Sequence, residues 1–181
     1  AAAETGGEVY IVDSLNVAVG EKAIVEYALR MKDAGTDIHT IVETLNHEKE
    51  NLRVIALLDT LEYLQKGGRI SKTVAIAGSL LSIKPVVSVE AGEFARQILA
   101  RGSRQGNNFL IQQIQKDGID FSRPFFLGYT GLSDALLQKY ISDSAEIWKE
   151  HVDHLPIGTI GGAIGTHVGP GAIAVAFFTE K

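Results

Sequence analysis

Apolar residues recur with two different periods along the first third of the chain. They follow helical spacing over residues 21–34 and again after Asp37, a residue type that favours the helix N-cap position. Short apolar runs at residues 8–12 and 53–58 are rich in branched side chains and predict β-strands. The order of strand, two helices and strand is typical of a parallel α/β layer with a crossover connection.

The remainder of the chain alternates between strand and helix patterns and includes one hairpin. Residues 82–89 and 93–99 flank a turn in which Gly92 suits a position with positive φ. The elements predicted after the hairpin are a helix over 106–116, a strand over 124–130, a helix from Ser133 past Trp148, a strand over 155–158, a small-residue turn over 161–165 and a closing strand over 171–178. The sequence therefore predicts an α/β fold class, in which a partial parallel sheet precedes a mixed α/β part.

A polar and glycine-rich segment separates these two parts. Asp59 is a good N-cap residue, and Glu62 at the third position after it completes a capping box that predicts a short helix. Gly67 and Gly68 predict a left-handed end for that helix. Arg69 is thereby expected on a tightly folded corner.

This corner marks the predicted boundary between two lobes. Ser71 is the predicted cap of a second helix over residues 72–81. We predict that residues 1–67 are the C-terminal part of an N-terminal α/β domain and that residues 68–181 form a mixed α/β C-terminal domain. In the alternative interpretation, the two glycines only end a helix and Arg69 is a solvated side chain.

The composition excludes several classes of function. The 181 residues are 45% hydrophobic with a net charge of −5, which is typical of a globular protein and argues against a nucleic acid partner. Because the chain contains no cysteine, disulfides, thiolate zinc sites and cysteine nucleophiles are excluded. The first residues lack the pattern of a signal peptide, and glycines and prolines interrupt the apolar stretch over 155–178. We therefore expect a cytoplasmic protein without stable membrane insertion.

A glycine-rich stretch near the end of the sequence places one histidine among apolar residues. Gly165, Gly169 and Gly171 surround His167 and would allow the backbone to approach a ligand closely. The Gly-x-Gly spacing leads into a predicted strand, whereas a dinucleotide-binding loop opens a helix, so that motif is excluded. His167 is either a functional imidazole or a hydrogen-bonded core histidine, and the residues alone leave both interpretations open.

Other polar residues give weaker signals. His151 and His154 lie near a predicted helix end, and no further metal ligand accompanies them, which is typical of a solvated terminus. Neither a Gly-x-Ser-x-Gly elbow nor a P-loop motif occurs in the sequence. A basic cluster fits either an anionic partner or a hydrated surface, and it consists of Arg96, Arg101 and Arg104.

Several motifs, in a fixed order, resemble one known family. They are Asp-Thr-Leu-Glu-Tyr-Leu-Gln-Lys-Gly-Gly-Arg-Ile-Ser at residues 59–71, Leu-Ser-Ile-Lys-Pro at 81–85, Arg-Gly at 101–102 and Ile-Gly-Thr-His-Val-Gly-Pro-Gly at 164–171. Together they resemble the DegV family of bacterial proteins, which are the fatty acid-binding subunits of a two-component fatty acid kinase. The resemblance runs from about residue 9 to residue 178 and implies a two-domain α/β fold.

The resemblance also implies a function and a site. A long-chain fatty acid would lie between the two domains, and a separate ATP-binding kinase subunit would phosphorylate its carboxylate to an acyl phosphate. Arg69 of the Gly-Gly-Arg motif and His167 of the Thr-His-x-Gly-Pro-Gly motif would belong to the polar network around that carboxylate. We expect no catalytic residue, no metal and no cofactor other than the bound fatty acid, because metal and nucleotide would come from the partner.

An acyl chain would need an apolar tunnel beside this network. Burial stabilises it by about 0.8 kcal/mol per methylene, so a dry tunnel is sufficient to retain a long chain. The candidates for the tunnel wall lie near the predicted boundary, and each suits an ordinary core equally well. They are Ile70, Val74, Ile76, Leu80, Leu81 and Ile98.

The resemblance further implies residues that precede Ala1. The first strands of the family and a Ser/Thr motif that ends in Ser-Gly-Thr-Tyr-Gln-Ser would belong there. The first residues resemble the end of a helix, and two parallel strands are too few to form a stable sheet, which favours the same expectation. We therefore expect part of the head-group site to lie outside this sequence.

Two other classes of function remain open at this stage. A stand-alone α/β enzyme, such as a hydrolase with His167 as its base, would require a nucleophile beside that histidine. A regulatory or scaffolding protein would use the same motifs structurally and bind no ligand. Lipid extracted from the purified protein would separate both from the fatty acid-binding function.

Overall fold

The structure is a computed structural model that describes residue 4 and residues 6–70, 83–90 and 92–180. The strands are β1 (Leu52–Leu57), β2 (Ile83–Glu90), β3 (Glu93–Arg101), β4 (Phe126–Tyr129), β5 (Ile157–Thr159) and β6 (Ile173–Phe178). The helices are α1 (Val19–Asp33), α2 (Ile38–Glu48), α3 (Glu62–Lys66), α4 (Gly102–Asp117), α5 (Ala135–Asp143), α6 (Ala145–Trp148) and α7 (Gly162–Val168), with a 3-10 turn at Lys49–Asn51. One six-stranded sheet has the order β3-β2-β1-β6-β4-β5 and carries helices on both faces.

Helices α1 and α2 cover part of one face of the sheet. Both were predicted, and Asp37 caps α2 because its carboxylate accepts hydrogen bonds from the backbone N–H groups of His39 and Thr40. The core on this face is formed by buried residues of the two helices and of β1, β4 and β6, namely Val19, Ala23, Ile24, Ile41, Leu45, Leu52, Val54, Phe126, Ala174, Ala176 and Phe178. These helices therefore position the chain segment that precedes α1 over the sheet.

Helices α4, α5 and α6 cover the opposite face. Their buried residues pack against the alternate side chains of the same strands, as the two-residue period of a β-strand requires. The main contributors are Ile55, Leu57, Leu110, Ile114, Leu127, Leu137, Tyr140, Trp148, Ile173, Val175 and Phe177. The single helix predicted from Ser133 past Trp148 is interrupted at Ser144, whose hydroxyl donates to the carbonyl of Tyr140 at 2.7 Å.

The sheet differs from the predicted parallel layer in its first part. Residues 8–12 form no strand, so that prediction is wrong: Val9 and Ile11 are exposed, whereas Val12 packs against the core beneath α1 and α2. Strand β1 pairs antiparallel with both β2 and β6, and the parallel pairing in the described sheet joins β4 to β5. The mixed α/β class of the fold is confirmed.

The predicted hairpin is present as β2 and β3. Gly92 lies in its turn with a φ of 82°, and the register shifts between Ser88 and Val89. Strand β1 lies before the predicted domain boundary at residue 67, and it pairs with β2 and β6 from beyond that boundary. The division into residues 1–67 and 68–181 therefore stays a prediction. The helix predicted over residues 72–81 lies outside the described residues.

Helix length and composition bear on the membrane prediction. Among the helices that the structure describes, none combines the length and the apolar content needed to cross a membrane.

Candidate functional site

The end of helix α3 fixes the backbone around Arg69. The N–H of Gly68 donates to the carbonyl of Gln65 at 3.0 Å, and the N–H of Arg69 donates to the carbonyl of Leu64 at 2.8 Å. These two bonds define a Schellman motif, and Gly68 has the predicted left-handed conformation with a φ of 71°. The guanidinium turns back over this corner, because its Nη1 donates to the carbonyl of Gly67 at 2.7 Å.

The start of α3 differs from the prediction. The helix begins at Glu62 after Leu61, and the backbone N–H of Glu62 donates to the hydroxyl of Thr60 at 3.2 Å, so the capping box from Asp59 is wrong. Asp59 instead forms an ion pair with Lys84 in β2. The side chain of Asp59 therefore ties the segment after β1 to the next strand.

His167 lies in the last turn of helix α7. The turn predicted over residues 161–165 is wrong, because these residues begin that helix. Glycines have low helix propensity, so the local sequence concealed a helix that tertiary contacts stabilise. Helix α7 ends at Val168, and the next residue, Gly169, has a φ of 77°.

Thr130 holds the loop that follows α7. This threonine is buried, and its hydroxyl donates to the carbonyl of Gly169 at 2.6 Å and accepts from the N–H of Ala172 at 2.9 Å. The backbone of Thr130 also pairs with the loop, since its N–H donates to the carbonyl of Ala172 at 3.0 Å. The loop between α7 and β6 is therefore fixed at both ends by one residue of the neighbouring strand region.

Two reciprocal contacts bring the ends of α3 and α7 together. The ring of His167 lies on Gly67, where a Cβ atom would overlap with Nδ1 of the imidazole. The ring of Tyr63 lies on Gly169, where a Cβ atom would overlap with the phenol ring. Each helix end thus supplies one glycine and one ring, and these contacts place Arg69 and His167 at the same corner.

This corner opens on an apolar cavity of about 720 Å³. That volume is typical of a site for a small organic ligand. Small side chains of the sheet leave the space, because Ala56 and Ala174 lie directly opposite each other in β1 and β6. The apolar residues that line it include Val54, Ala56, Leu58, Leu64, Val87, Val89, Ile160, Ile164, Val168, Ala172 and Ala174.

Among the residues that the structure describes, four polar side chains accompany the apolar lining. Arg69 and His167 both line the cavity, together with Asp13 and Asn16 from the segment before α1. Nδ1 of His167 and Oδ1 of Asn16 are buried and have no hydrogen-bond partner among the described residues. A buried polar atom without a hydrogen-bond partner costs free energy, so both atoms are unfavourable in the described structure as it stands.

The other residues predicted for the site are distributed differently. Ile98 does not reach this cavity; it lines a separate small crevice on the opposite face of the sheet and packs against that core. Ile70 packs against the cluster that contains Leu58 and Leu64. The remaining wall candidates, Val74, Ile76, Leu80 and Leu81, lie outside the described residues.

The predicted close-approach glycines have other neighbours. Gly169 contacts the ring of Tyr63 and does not line the cavity, and Gly171 lies near the side chains of Leu136 and Asp59. A Cβ atom at Gly165 would find its nearest neighbour 4.0 Å away. For Gly169 and Gly171, the positive φ of 77° is the clearer reason for glycine.

The sequence interpretation missed Asn16, Thr130 and the role of Gly67. Asn16 follows a short polar segment, and its importance depends on a cavity that forms only in three dimensions. Gly67 has an ordinary helical φ of −76°, so its glycine character is explained by the ring of His167 and not by backbone conformation. No local sequence signal distinguishes these roles.

A metal site and a histidine paired with a nucleophile would each require a specific arrangement of side chains. Within them, no group of three His, Cys, Asp or Glu side chains is arranged to hold a metal ion. In the same part of the chain, Nδ1 of His167 has no hydroxyl hydrogen-bonded to it.

Comparison with known proteins gives a consistent result. The chain is 32% identical over 174 residues to a DegV domain-containing protein of Clostridium acetobutylicum, which covers 94% of the chain and 60% of that protein. The chain thus spans about 60% of the length of the curated relatives that it matches.

Solved structures show the same fold. A DegV family protein from Eubacterium eligens loaded with heptadecanoic acid matches with a TM-score of 0.80 and 19% identity, over 99% of this chain and 64% of that one. The Fatty Acid Kinase B3 protein of Streptococcus pneumoniae loaded with linoleic acid matches with a TM-score of 0.82 and 19% identity, over 96% and 60% of the two chains.

The family comparison agrees with the motifs on which the corner is built. The model of the DegV family, described as a family of uncharacterised protein, matches residues 1–180. Because that match includes both the Gly-Gly-Arg corner and the Thr-His-x-Gly-Pro-Gly helix end, the chain belongs to the DegV family.

Proposed function

We propose that the protein binds a long-chain fatty acid in the cavity beside β1, β2 and β6, with the carboxylate at Arg69 and His167. The observation that carries this proposal is that these two residues, distant in the sequence, line one apolar cavity. An apolar cavity with a polar corner matches the two parts of a fatty acid.

The physical chemistry of the ligand agrees with this arrangement. Each buried methylene stabilises the complex by about 0.8 kcal/mol, so a long acyl chain gains enough to offset the cost of association. A carboxylate cannot be buried without partners, and the guanidinium of Arg69 and the imidazole of His167 are suitable donors. Nδ1 of His167 is buried against Gly67, where a ligand carboxylate would not reach it. We therefore assign the hydrogen bond to the carboxylate to the other ring nitrogen, Nε2.

The relatives support the choice of ligand. A DegV family protein with the same fold was solved with heptadecanoic acid, and the Fatty Acid Kinase B3 protein, which also shares the fold, was solved with linoleic acid. By analogy, the protein would present the bound carboxylate to a separate ATP-dependent kinase subunit, which would form the acyl phosphate. In this role the chain itself binds the lipid and does not catalyse the transfer.

The proposal is tested by extracting lipid from the purified protein and identifying it by mass spectrometry. We expect one fatty acid per protein molecule. A second assay would add ATP and the kinase subunit from the same organism and measure acyl phosphate. Protein that contains no fatty acid, and that takes up none from a palmitate solution, would contradict the proposal and favour the hydrolase or scaffold alternatives.

A further inference from the structure

We propose that Val19 and Ile160 form an end wall of the acyl cavity and thereby set the longest fatty acid chain that the protein accepts. The inference rests on the proposed function, because it concerns the acyl chain of the same ligand.

A row of small residues crosses the sheet at right angles to the strands. Val87, Ala56, Ala174, Gly128 and Gly158 lie directly opposite one another in β2, β1, β6, β4 and β5. Directly opposed residues share one face of a sheet, so these five positions form a continuous trough. The side chains decrease in size along the row, and Val87, Ala56 and Ala174 form the part of the trough that lines the cavity.

The trough is blocked at Gly128. A Cβ atom at this glycine would lie 2.6 Å from Cγ1 of Val19 and 3.0 Å from Cγ1 of Ile160. Both side chains are buried, and they pack against Gly128 on the face of the sheet that α1 covers. Val19 and Ile160 therefore occupy the space that a side chain at position 128 would otherwise fill.

Unfilled space continues beyond this wall. A second cavity of about 130 Å³ is lined by Lys22, Phe126 and Gly158 among others. Ala18, Val19 and Ile160 line both cavities, so a single layer of side chains separates them. The outer cavity is bordered by Lys22, whose ammonium lies 4.3 Å from the centre of the Phe126 ring.

The backbone holds Val19 in place. It follows Ala18, a residue with a φ of 52° that L-amino acids rarely adopt, in a turn closed by the N–H of Gly20 and the carbonyl of Val17 at 3.0 Å. A Cβ atom at Gly20 would lie 2.6 Å from Cγ2 of Val54, so this turn rests directly on β1.

The backbone of Ile160 is also fixed. Its N–H donates to the carbonyl of Tyr129, at the end of β4, at 2.8 Å. The turn that contains Val19 thus packs against β1, Ile160 is hydrogen-bonded to the end of β4, and β6 lies between these two strands. A fixed wall should give a sharp upper limit of chain length rather than a gradual decline.

The test uses the purified protein and a series of saturated fatty acids from laurate to behenate, with affinities measured by isothermal titration calorimetry. In Val19→Ala and Ile160→Ala the two cavities would join, and the longest acids should gain relative to the shorter ones. We expect a gain of about fourfold for each additional methylene that enters, the equivalent of about 0.8 kcal/mol. The milder Ile160→Val should shift the profile in the same direction by a smaller amount, and it should fold even where the alanine variants do not.

Val175→Ala is the matched control. It deletes the same two methyl groups as Val19→Ala, again from a buried position, but on the opposite face of the sheet. It should lower the melting temperature without changing the order of preference among the acids. Variants of Val19 and Ile160 that bind with the wild-type length profile would overturn the wall, whereas a wild-type protein that binds no acid would overturn the proposed function itself.

Discussion

Arg69 is exposed, yet its side chain is held at the corner of the cavity. The hydrogen bond from its guanidinium to the carbonyl of Gly67 limits the conformations of a long, flexible side chain. Ordering such a side chain before a ligand arrives reduces the entropy lost on binding. Arg69 is therefore a preorganised partner for an anion even though it is not buried.

Replacement of Arg69 should distinguish the contribution of the ligand's carboxylate to the affinity from that of its acyl chain. In Arg69→Ala we expect the affinity for palmitate to fall roughly tenfold to a hundredfold, because one charge-assisted hydrogen bond is lost. Hexadecanol, which has the same chain and no charge, should bind with nearly unchanged affinity in calorimetry. Arg30→Ala, at an exposed arginine of α1, is the control, and an equal loss for both ligands would contradict the assignment.

Gly67 offers a second test at the scale of a residue. Its φ of −76° suits alanine, so Gly67→Ala would be neutral or slightly stabilising if backbone entropy alone acted. Because the new Cβ would overlap with the ring of His167, we expect instead a loss of roughly 1–3 kcal/mol in the free energy of unfolding. Denaturation by urea measures this change.

The double variant identifies the cause. Gly67→Ala combined with His167→Ala should be no less stable than His167→Ala alone, since the ring that caused the overlap is absent. Gly165→Ala is a control within α7, because its nearest neighbour would be 4.0 Å away. A Gly67→Ala variant as stable as the wild type would refute the contact.

At the scale of elements, the sequence predicted those whose local pattern and packing agree. Helix α1 and the hairpin of β2 and β3 have a clear period and appropriate turn residues. The apolar run at residues 8–12 has the composition of a strand, but a strand also requires a neighbour, and it pairs with none among the described residues. Helix α7 was missed for the opposite reason, because its glycines have low propensity and its stability comes from packing against α3.

The candidate site was predictable to the extent that a motif carries it. Arg69 and His167 were identified from the family resemblance, and both line the cavity. Ile98 was assigned from proximity in sequence, but the alternation of a β-strand turns it to the other face of the sheet. Asn16 and Gly67 matter only through contacts made in space, which a single sequence does not reveal.

Thr130 connects the strand region after β4 to the loop after α7, and its removal should loosen that loop. Thr130→Val keeps the shape of the side chain but leaves the carbonyl of Gly169 and the N–H of Ala172 without their hydroxyl partner. We expect a loss of about 2 kcal/mol, which corresponds to a decrease of about 4–8 °C in melting temperature. Thr166→Val, at an exposed hydroxyl of α7, should change the melting temperature little, and equal effects would show that Thr130 has no special role.

At the scale of the whole molecule, one carboxylate links distant segments. Glu48 at the end of α2 forms an ion pair with Arg123, which precedes β4. Burial opposes ionisation of Glu48, but hydrogen bonds from Asn51, Arg123 and His47 outweigh it and lower its pKa to about 2. The ionised form therefore stabilises the folded state.

This pKa shift predicts how stability depends on pH. Above the ordinary value of 4.5 the carboxylate is ionised in both states and the stabilisation is fully present; it is lost as the pH falls towards about 2. We expect urea denaturation to show a decline on the order of 2 kcal/mol from this group across that interval. Glu48→Gln should reduce this decline in the free energy of unfolding, whereas Glu146→Gln, at an exposed carboxylate, should not. If the wild type and Glu48→Gln lost stability in parallel as the pH falls, the prediction would be contradicted.

The order of the strands has a consequence for synthesis of the protein. Strand β6 lies between β1 and β4, although it follows every other described strand in the sequence. While the polypeptide emerges from the ribosome, β1 and β4 therefore each have an unpaired edge until β6 has been synthesised. Unpaired strand edges can associate with other nascent chains. Because Ala174 of β6 also forms the floor of the cavity, a lipid can be accepted only once translation has passed this strand.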